Sequence, residues 1–502
     1  MMNRSGHSGL NHSYMCTSEN DNDLTSSVRR HMPSSLEQYH EEHGAQRSAL
    51  RRSISKQNEY GLRRPEWPVV SAAAAFVSGA LVLLGAGSNT NTLYIELRML
   101  RGTFLLLLML FLIIGNMYVW RKTRIDYARI LSLDQVPSVC CTSQPAESVA
   151  DRDDEEPDES ATTSFSKLAC VFSSLWIISV LIVVYVWELR GPVSVSRHAP
   201  FSLWLVIVLC LVLPAPVLYH QSRRWMCYRL WCMIAAPLYP VRFVDTWIAD
   251  QLTSLPLVLL DFEYTTCVIV KVQWLGSYLD NHGICMSPTI GIRQALNILP
   301  SWFRFAQCCR VYYDTRNVSN LINAGKYFSI LPMVVAASFV AEKQELQKNY
   351  YSTTVFYVWL CFALIHAIYV FSWDVIMDWG LFRHQNTNPG LRSCLLYRRR
   401  WLYYTAIALD AVLRFAWTLK MSLSVSIWFG SDRLLLLLAV GEVLRRFMWN
   451  FFRVEHEQVR HYEDLSSSYE NYETVAGVNC PEHESIYKSD ESGGDSTEGA
   501  FS

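Results

Sequence analysis

Residues 373–380 read Trp373-Asp374-Val375-Ile376-Met377-Asp378-Trp379-Gly380 and close an apolar run that begins near Thr353. Two more apolar runs follow, about Leu402–Ser424 and Leu434–Phe452. The first encloses Asp410, Arg414 and Trp417, and the second Glu442, Arg445 and Arg446. Ionisable side chains are costly in hydrocarbon and are kept there when they pair, line a water-filled cavity or bind something. Their spacing is helical: Asp374 and Asp378 are i,i+4, Asp410, Arg414 and Trp417 are i,i+4,i+7, and Glu442, Arg445 and Arg446 are i,i+3,i+4. On an α-helix such residues share one side. Each helix then offers a polar stripe with an apolar back, the pattern of walls around a shared aqueous cavity.

Working outward, the 502-residue chain is 51% hydrophobic. The apolar residues gather in runs of about bilayer-spanning length, roughly 20 residues. No compact soluble catalytic domain is evident. The expected fold is an all-α polytopic membrane protein with about ten transmembrane helices. The earlier spans lie near Val69–Gly87, Thr103–Trp120, Leu168–Trp187, Pro200–Tyr219, Thr246–Val270, Gly291–Arg310 and Leu321–Val340. Pro300 interrupts the sixth, and a re-entrant sixth segment would change the later topology. Residues 1–66, rich in Ser, Asn, Arg and His, form an expected disordered tail. Residues 67–224 hold the first four helices, with a polar loop near 121–167. Residues 225–460 hold helices five to ten, and 461–502 a disordered acidic tail. No apolar h-region precedes the first span, so that span is expected to be retained. An even number of spans puts both tails on one side. Arg121, Lys122, Arg124, Arg129, Arg223, Arg224, Arg229 and Arg398-Arg399-Arg400 all fall on that side. The positive-inside rule makes it cytosolic.

The formal charge of −1 is segregated: the N-terminal tail is basic, the loop at Asp151–Glu159 and the C-terminal tail acidic. No nucleic-acid partner is implied. The 14 cysteines contain no C-x-x-C pair, and Cys140-Cys141 and Cys308-Cys309 are adjacent, poor spacing for one zinc. Cys285 is the only obvious cysteine in a non-cytosolic loop, so reduced structural cysteines are expected. His40-Glu41-Glu42-His43 lacks H-E-x-x-H spacing and sits in a polar stretch. Neither metal nor cofactor is expected. Tyr472-Glu473-Thr474-Val475 fits a tyrosine sorting pattern that chance often produces.

The mixture of signs indicates a ligand class. Arg414, Arg445 and Arg446 offer forked donors suited to a tetrahedral oxyanion. Lys326 adds a point charge and Tyr327 a neutral donor. Acids beside them orient the guanidiniums and accept from a protonated phosphate oxygen, while limiting a positive charge that would otherwise hold the anion too tightly to release. Asp250, Thr253 and Asp261 share a face of the fifth span. Inorganic phosphate is the ligand this favours. The alternative is ion pairing without a ligand, Asp410 with Arg414 and Glu442 with Arg446 neutralising each other within a helix. Trp373, Trp379 and Trp417 read first as interfacial or packing residues. His366 reads as a packed, hydrogen-bonded histidine. A transferase built on His366 or His384 has no ordered base, nucleophile and metal around it, so no enzymatic activity is expected.

A family resemblance rests on ordered strings: Ala249-Asp250-Gln251-Leu252, Asp261-Phe262-Glu263-Tyr264, Trp302-Phe303-Arg304-Phe305-Ala306-Gln307-Cys308, Asn323-Ala324-Gly325-Lys326-Tyr327, Trp373-Asp374, Met377-Asp378-Trp379-Gly380, Arg445-Arg446-Phe447 and Trp449-Asn450-Phe451-Phe452-Arg453-Val454-Glu455. Over about Trp225–Arg460 the chain resembles the EXS domain of phosphate exporters related to the xenotropic and polytropic retrovirus receptor. The resemblance implies a ten-helix fold with a phosphate path through the last six helices. It implies phosphate contacts at Asp250, Lys326, Tyr327, Asp374, Asp378, Arg414, Trp417, Glu442, Arg445 and Arg446. Thr253 stands where the animal exporters have Asn, a hydroxyl in place of an amide. It suggests a homodimer. Full-length exporters carry an N-terminal SPX sensor domain, which the 66 residues before the first span do not resemble. The chain therefore resembles the SPX-less branch, typified by the yeast ER-retention-defective protein of the Golgi. That branch implies return of lumenal Golgi phosphate to the cytosol. The competing role is a membrane scaffold that retains Golgi enzymes through trafficking proteins bound at its tails.

Overall fold

The computed structural model describes residues 76–77, 91–133, 157–190, 195–212, 220–275, 291–346, 353–382, 390–392, 394–397, 399–421 and 431–476. All lie within the unit Trp67–Ser502. Outside the described residues fall the N-terminal tail with its His40–His43 string, most of the first expected span, Cys140-Cys141, Cys285, His384 and residues 477–502.

Every extended element among the described residues is helical. In chain order they are α1 (Asn91–Lys122), α2 (Tyr127–Ile130), α3 (Pro157–Arg190), α4 (Val195–Val212), α5 (His220–Ile234), α6 (Phe243–Thr253) and α7 (Pro256–Leu275). There follow α8 (Ile292–Thr315), α9 (Val318–Phe328), α10 (Ile330–Leu346), α11 (Thr354–Trp373), α12 (Trp401–Phe415) and α13 (Ser431–Ala476). Among these residues, 4 stretches are long and apolar enough to cross a bilayer: Arg98–Lys122, Phe165–Val186, Val318–Ala341 and Thr354–Asp378. The bent pair α6–α7 makes a fifth if counted as one span. Their outer faces carry bare apolar side chains such as Leu181, Ile365 and Ile368, as lipid contact requires and water would penalise.

Three interruptions break the regular helices, the first with a local cause. Pro256 disfavours helical backbone at Leu255 and suits the first position of a new helix. The chain bends there by 63°, between α6 and α7. The expectation that Asp250, Thr253 and Asp261 line one face fails for this reason. Asp261 instead meets Arg101 of α1, with Nε to Oδ2 at 2.7 Å. That pair sits where the two helices touch: a Cβ on Gly102 would lie 3.1 Å from the Asp261 Cβ. A second break falls at Ser329, between α9 and α10. The third is the π-helical turn Asp374–Asp378 that ends α11, where Trp379 N donates to the Asp374 carbonyl at 3.0 Å. The i,i+4 α-helical register expected for the two aspartates is therefore replaced by a wider turn. After α12 the chain tightens into a 3-10 helix, Ala416–Met421.

Helix α1 is the central post, packed against α3, α7 and α13. One apolar cluster at its C-terminal end joins Trp120, Trp247, Trp379, Tyr403, Trp449 and Phe452. A second, higher up, joins Phe76, Leu100, Phe104, Trp176 and Val443. Buried amides stitch α1, α6 and α13 together. Asn450 Nδ2 donates to Asn116 Oδ1 at 3.1 Å, and Gln251 Nε2 donates to Asn450 Oδ1 at 2.9 Å. The last helix continues to Ala476, so residues 461–476, expected as disordered tail, are helical and contain the Tyr472–Val475 string. Helix α3 likewise begins at Pro157, inside the expected polar loop. Cys267 of α7 is disulfide-bonded, which corrects the expectation of uniformly reduced cysteines.

Gly380 follows the π turn with φ +65°, a left-handed backbone open to glycine at little cost. A Cβ there would also collide with the His456 ring. Burial pushes the His456 imidazole down to about 3, so it is neutral. Its Nδ1–H donates to the Asp378 carbonyl at 2.9 Å. Gly380→Ala should therefore lower stability by about 2 kcal/mol or more, combining φ strain with displacement of His456. Thermal unfolding of the solubilised protein measures it, and an unchanged midpoint would refute this account of the turn.

Candidate functional site

The three interruptions face one another. The α6–α7 break presents Thr253 and Ser254, the segment before the α9–α10 break presents Lys326 and Tyr327, and the π turn presents Asp374 and Asp378. Helices α12 and α13 supply Asp410, Arg414, Glu442, Arg445 and Arg446. Broken helices are tolerated at membrane depth where freed backbone and polar side chains line a cavity or are buried in protein.

One half of the cluster centres on Asp250. Its Oδ1 accepts from Arg304 Nε at 2.7 Å and from the Tyr327 hydroxyl at 2.7 Å. Arg304 also donates through Nη1 to Gln307 Oε1 at 2.7 Å. Its guanidinium lies 4.8 Å from the Tyr327 ring centroid, a cation–π distance. Lys326 is buried at 3% exposure. Its ammonium rests over the Tyr327 ring at 4.4 Å and the Trp373 ring at 5.3 Å, and 3.9 Å from Asp378 Oδ2. It makes no hydrogen bond among the described residues.

The other half centres on Arg445, which is fully buried. Its Nε and Nη2 grip Glu442 at 2.8 and 2.7 Å, and its Nη1 reaches Asp410 at 3.0 Å and Asp374 at 3.2 Å. Arg414 Nη2 also donates to Asp374, at 2.5 Å, while the Arg414 Nε–H is buried without a hydrogen-bond partner among the described residues. Asp410 Oδ2 is likewise buried and without a hydrogen-bond partner among the described residues. Arg446 donates to two neutral hydroxyls, Ser254 Oγ at 2.8 Å and Thr253 Oγ1 at 3.0 Å, and stacks over Trp449 at 4.5 Å. Ser254 in turn donates to Glu442 at 2.7 Å and Thr253 to the Asp250 carbonyl at 2.7 Å. These hydroxyls join the two halves into one network.

Most of the sequence-derived set is therefore brought together: Asp250, Lys326, Tyr327, Asp374, Asp378, Arg414, Glu442, Arg445 and Arg446. Trp417 departs from it. The 3-10 turn at Ala416–Met421 breaks the i,i+7 register with Asp410, and the Trp417 ring packs edge-on against Trp359 at 5.7 Å. The role expected for Arg445 also changes, because carboxylates already occupy its guanidinium. Neither simple intrahelical pairing holds: Asp410 and Glu442 both turn to Arg445 rather than to Arg414 and Arg446. His366 is hydrogen-bonded as read from sequence, with Nδ1 2.8 Å from Ser329 Oγ. Ser329 has one hydroxyl proton, and the Lys326 carbonyl takes it at 2.6 Å. His366 Nδ1–H is then the donor, which fixes the break next to Lys326. Sequence reasoning left Arg304 and Ser254 out of the site. A charge inside an apolar helix was the available signal for Arg304. Nothing in the sequence singled out Ser254. Among the described residues no cluster of His, Cys, Asp and Glu is arranged to hold a metal.

The EXS family matches residues 97–459. The chain belongs to the EXS family. The match starts well before residue 225, where the sequence reading begins that region, and takes in α1 with its contacts to α7 and α13. The EXS chain is 33% identical over 377 residues to Solute carrier family 53 member 1 of Homo sapiens, covering 72% of this chain and 50% of that protein. It is 33% identical over 371 residues to the Xenotropic and polytropic retrovirus receptor 1 homolog of Xenopus laevis, covering 72% and 50%. The Danio rerio homolog of the same name is 31% identical over 408 residues, covering 78% and 54%. The chain thus spans about half the length of the curated relatives it matches.

Proposed function

We propose that this EXS protein carries inorganic phosphate across a membrane through the cluster between α6, α9, the π turn, α12 and α13. The observation that carries this reading is the pattern of unspent hydrogen-bond capacity. Acids and bases in the cluster match one for one: Arg304, Lys326, Arg414, Arg445 and Arg446 against Asp250, Asp374, Asp378, Asp410 and Glu442. Among the described residues the cluster leaves the Arg414 Nε–H, the Lys326 ammonium and Asp410 Oδ2 without hydrogen-bond partners. Free donors and a free acceptor within one network suit an anion that both accepts and donates, which hydrogen phosphate does and sulfate does not. Membership of a family with relatives named as a solute carrier supports transport over catalysis. The setting we propose is an endomembrane, with lumenal Golgi phosphate passing to the cytosol and both termini cytosolic. The basic residues at one end of α1 and in α5 support that orientation through the positive-inside rule. A homodimer, and trafficking proteins at the tails, remain part of the proposal from family resemblance.

Purified protein in proteoliposomes should carry labelled phosphate, with sulfate competing at least about tenfold more weakly because it cannot satisfy the buried acceptor. Equal competition by sulfate would remove the argument from Asp410. Absence of flux in any preparation would transfer the function to retention of Golgi enzymes.

A further inference from the structure

The carboxylates of the cluster are not equally held. Asp250, Asp374, Asp410 and Glu442 each accept at least one hydrogen bond from a cation or hydroxyl. Asp378 accepts none through its side chain among the described residues. Its Oδ2 stands 3.9 Å from Lys326 Nζ, and its Oδ1 stands 4.0 Å from Arg453 Nε. The carboxylate thus lies between a buried cation and one nearer water, close enough for attraction but beyond hydrogen-bond length. Its backbone is fixed independently, because His456 holds the Asp378 carbonyl. The side chain can swing without unlatching the turn.

Arg453 belongs to a row. Arg446, Arg453 and Arg460 recur at i, i+7 and i+14 on α13, so they follow one face. Exposure rises along it: Arg446 is 6% exposed, while the Arg453 and Arg460 side chains are 16% and 52% exposed. Glu457 lies between the outer two, 3.0 Å from Arg453 and 3.9 Å from Arg460. Arg453 also stacks over Phe243, at the start of α6, at 4.7 Å.

We propose that Asp378 and Arg453 form a second anion station, at the mouth where α13 leaves the bundle, and that phosphate crosses it between the buried cluster and water. The inference rests on the phosphate reading above. An anion leaving Lys326 displaces the Asp378 carboxylate, bridges Lys326 and Arg453, and moves on as Asp378 returns. No bond or proton is transferred. Repeated competition of this kind keeps binding favourable enough to enter and weak enough to leave. In the orientation proposed above this mouth is the cytosolic one. If Arg453 served only its i,i+4 pair with Glu457, the pair would contribute little and transport would not depend on it.

The test uses full-length protein in proteoliposomes sorted by orientation, with labelled inorganic phosphate offered to one face at a time. Arg453→Gln should raise the half-saturating concentration about tenfold at the α13 mouth and less than about twofold at the other, as loss of one charged hydrogen-bond donor predicts. Arg453→Lys should recover part of the loss. Asp378→Asn, which removes the competing charge, should lower half-saturation at that mouth and slow turnover. Wild-type values at both mouths in Arg453→Gln, or an equal rise at both, would overturn the station. So would an unchanged Asp378→Asn, the arm that decides if Arg453→Gln fails to fold. Absent flux in the wild type would instead bring down the phosphate reading itself, and this inference with it.

Discussion

Arg446→Ala is expected to abolish phosphate flux, by about a hundredfold or more, while the protein stays folded. The size follows from removing a fully charged, forked donor from a water-poor site, where each charge-assisted hydrogen bond contributes roughly 1.5–3 kcal/mol. The tolerance follows from its partners. Among the described residues Arg446 hydrogen-bonds to the Ser254 and Thr253 hydroxyls alone, and each hydroxyl already has an acceptor, Glu442 and the Asp250 carbonyl. No buried acid loses a hydrogen bond in the substitution. Its readouts are labelled-phosphate uptake and the thermal unfolding midpoint of the same preparation. Flux at the wild-type rate would dismiss Arg446 as a ligand and weaken the whole site.

Arg445→Ala should fail in the opposite way. Asp410 loses its one hydrogen-bonded partner among the described residues, and Asp374 and Glu442 each lose a guanidinium contact. Stranding buried acids in this manner costs about 3–5 kcal/mol, a large part of a typical folding free energy. The expected outcome is loss of the monodisperse species and of most thermal stability, with flux lost as a consequence. Pairing Arg445→Met with Asp410→Asn should recover part of the stability, because the stranded charge is removed along with its partner. A stable Arg445→Ala protein that has lost only flux would restore Arg445 as a direct phosphate ligand. Neighbours in sequence, Arg445 and Arg446 thus divide the work: one holds the acids together, and the other faces hydroxyls and keeps donors to spare.

Much of this was legible before any coordinates. Long apolar runs specify membrane helices because hydrocarbon leaves no other partner for the backbone than the backbone itself. Ionisable residues at helical spacing within them mark a polar interior, since lipid tolerates them poorly. Those two facts point to the all-α class and a polar interior, while the ordered strings carry the family resemblance and, with it, most of the cluster: Asp250, Lys326, Tyr327, Asp374, Asp378, Arg414, Glu442 and Arg446.

The tertiary structure decided the pairing. Offsets of four residues offered Asp410 with Arg414 and Glu442 with Arg446 as the simple pairing, yet Arg445 collects Asp374, Asp410 and Glu442 from three segments. Periodicity assumes an unbroken α-helix, and the site is built where helices break. The bend at Pro256 parted Asp261 from Asp250 and sent it to Arg101. The 3-10 turn moved Trp417 onto Trp359. Arg304 entered through contacts 54 residues away in sequence, to Asp250. A single chain determines which residues must leave lipid, because that depends on each side chain's own transfer cost. It does not determine which partner each will find, because that depends on distances between helices that only packing sets.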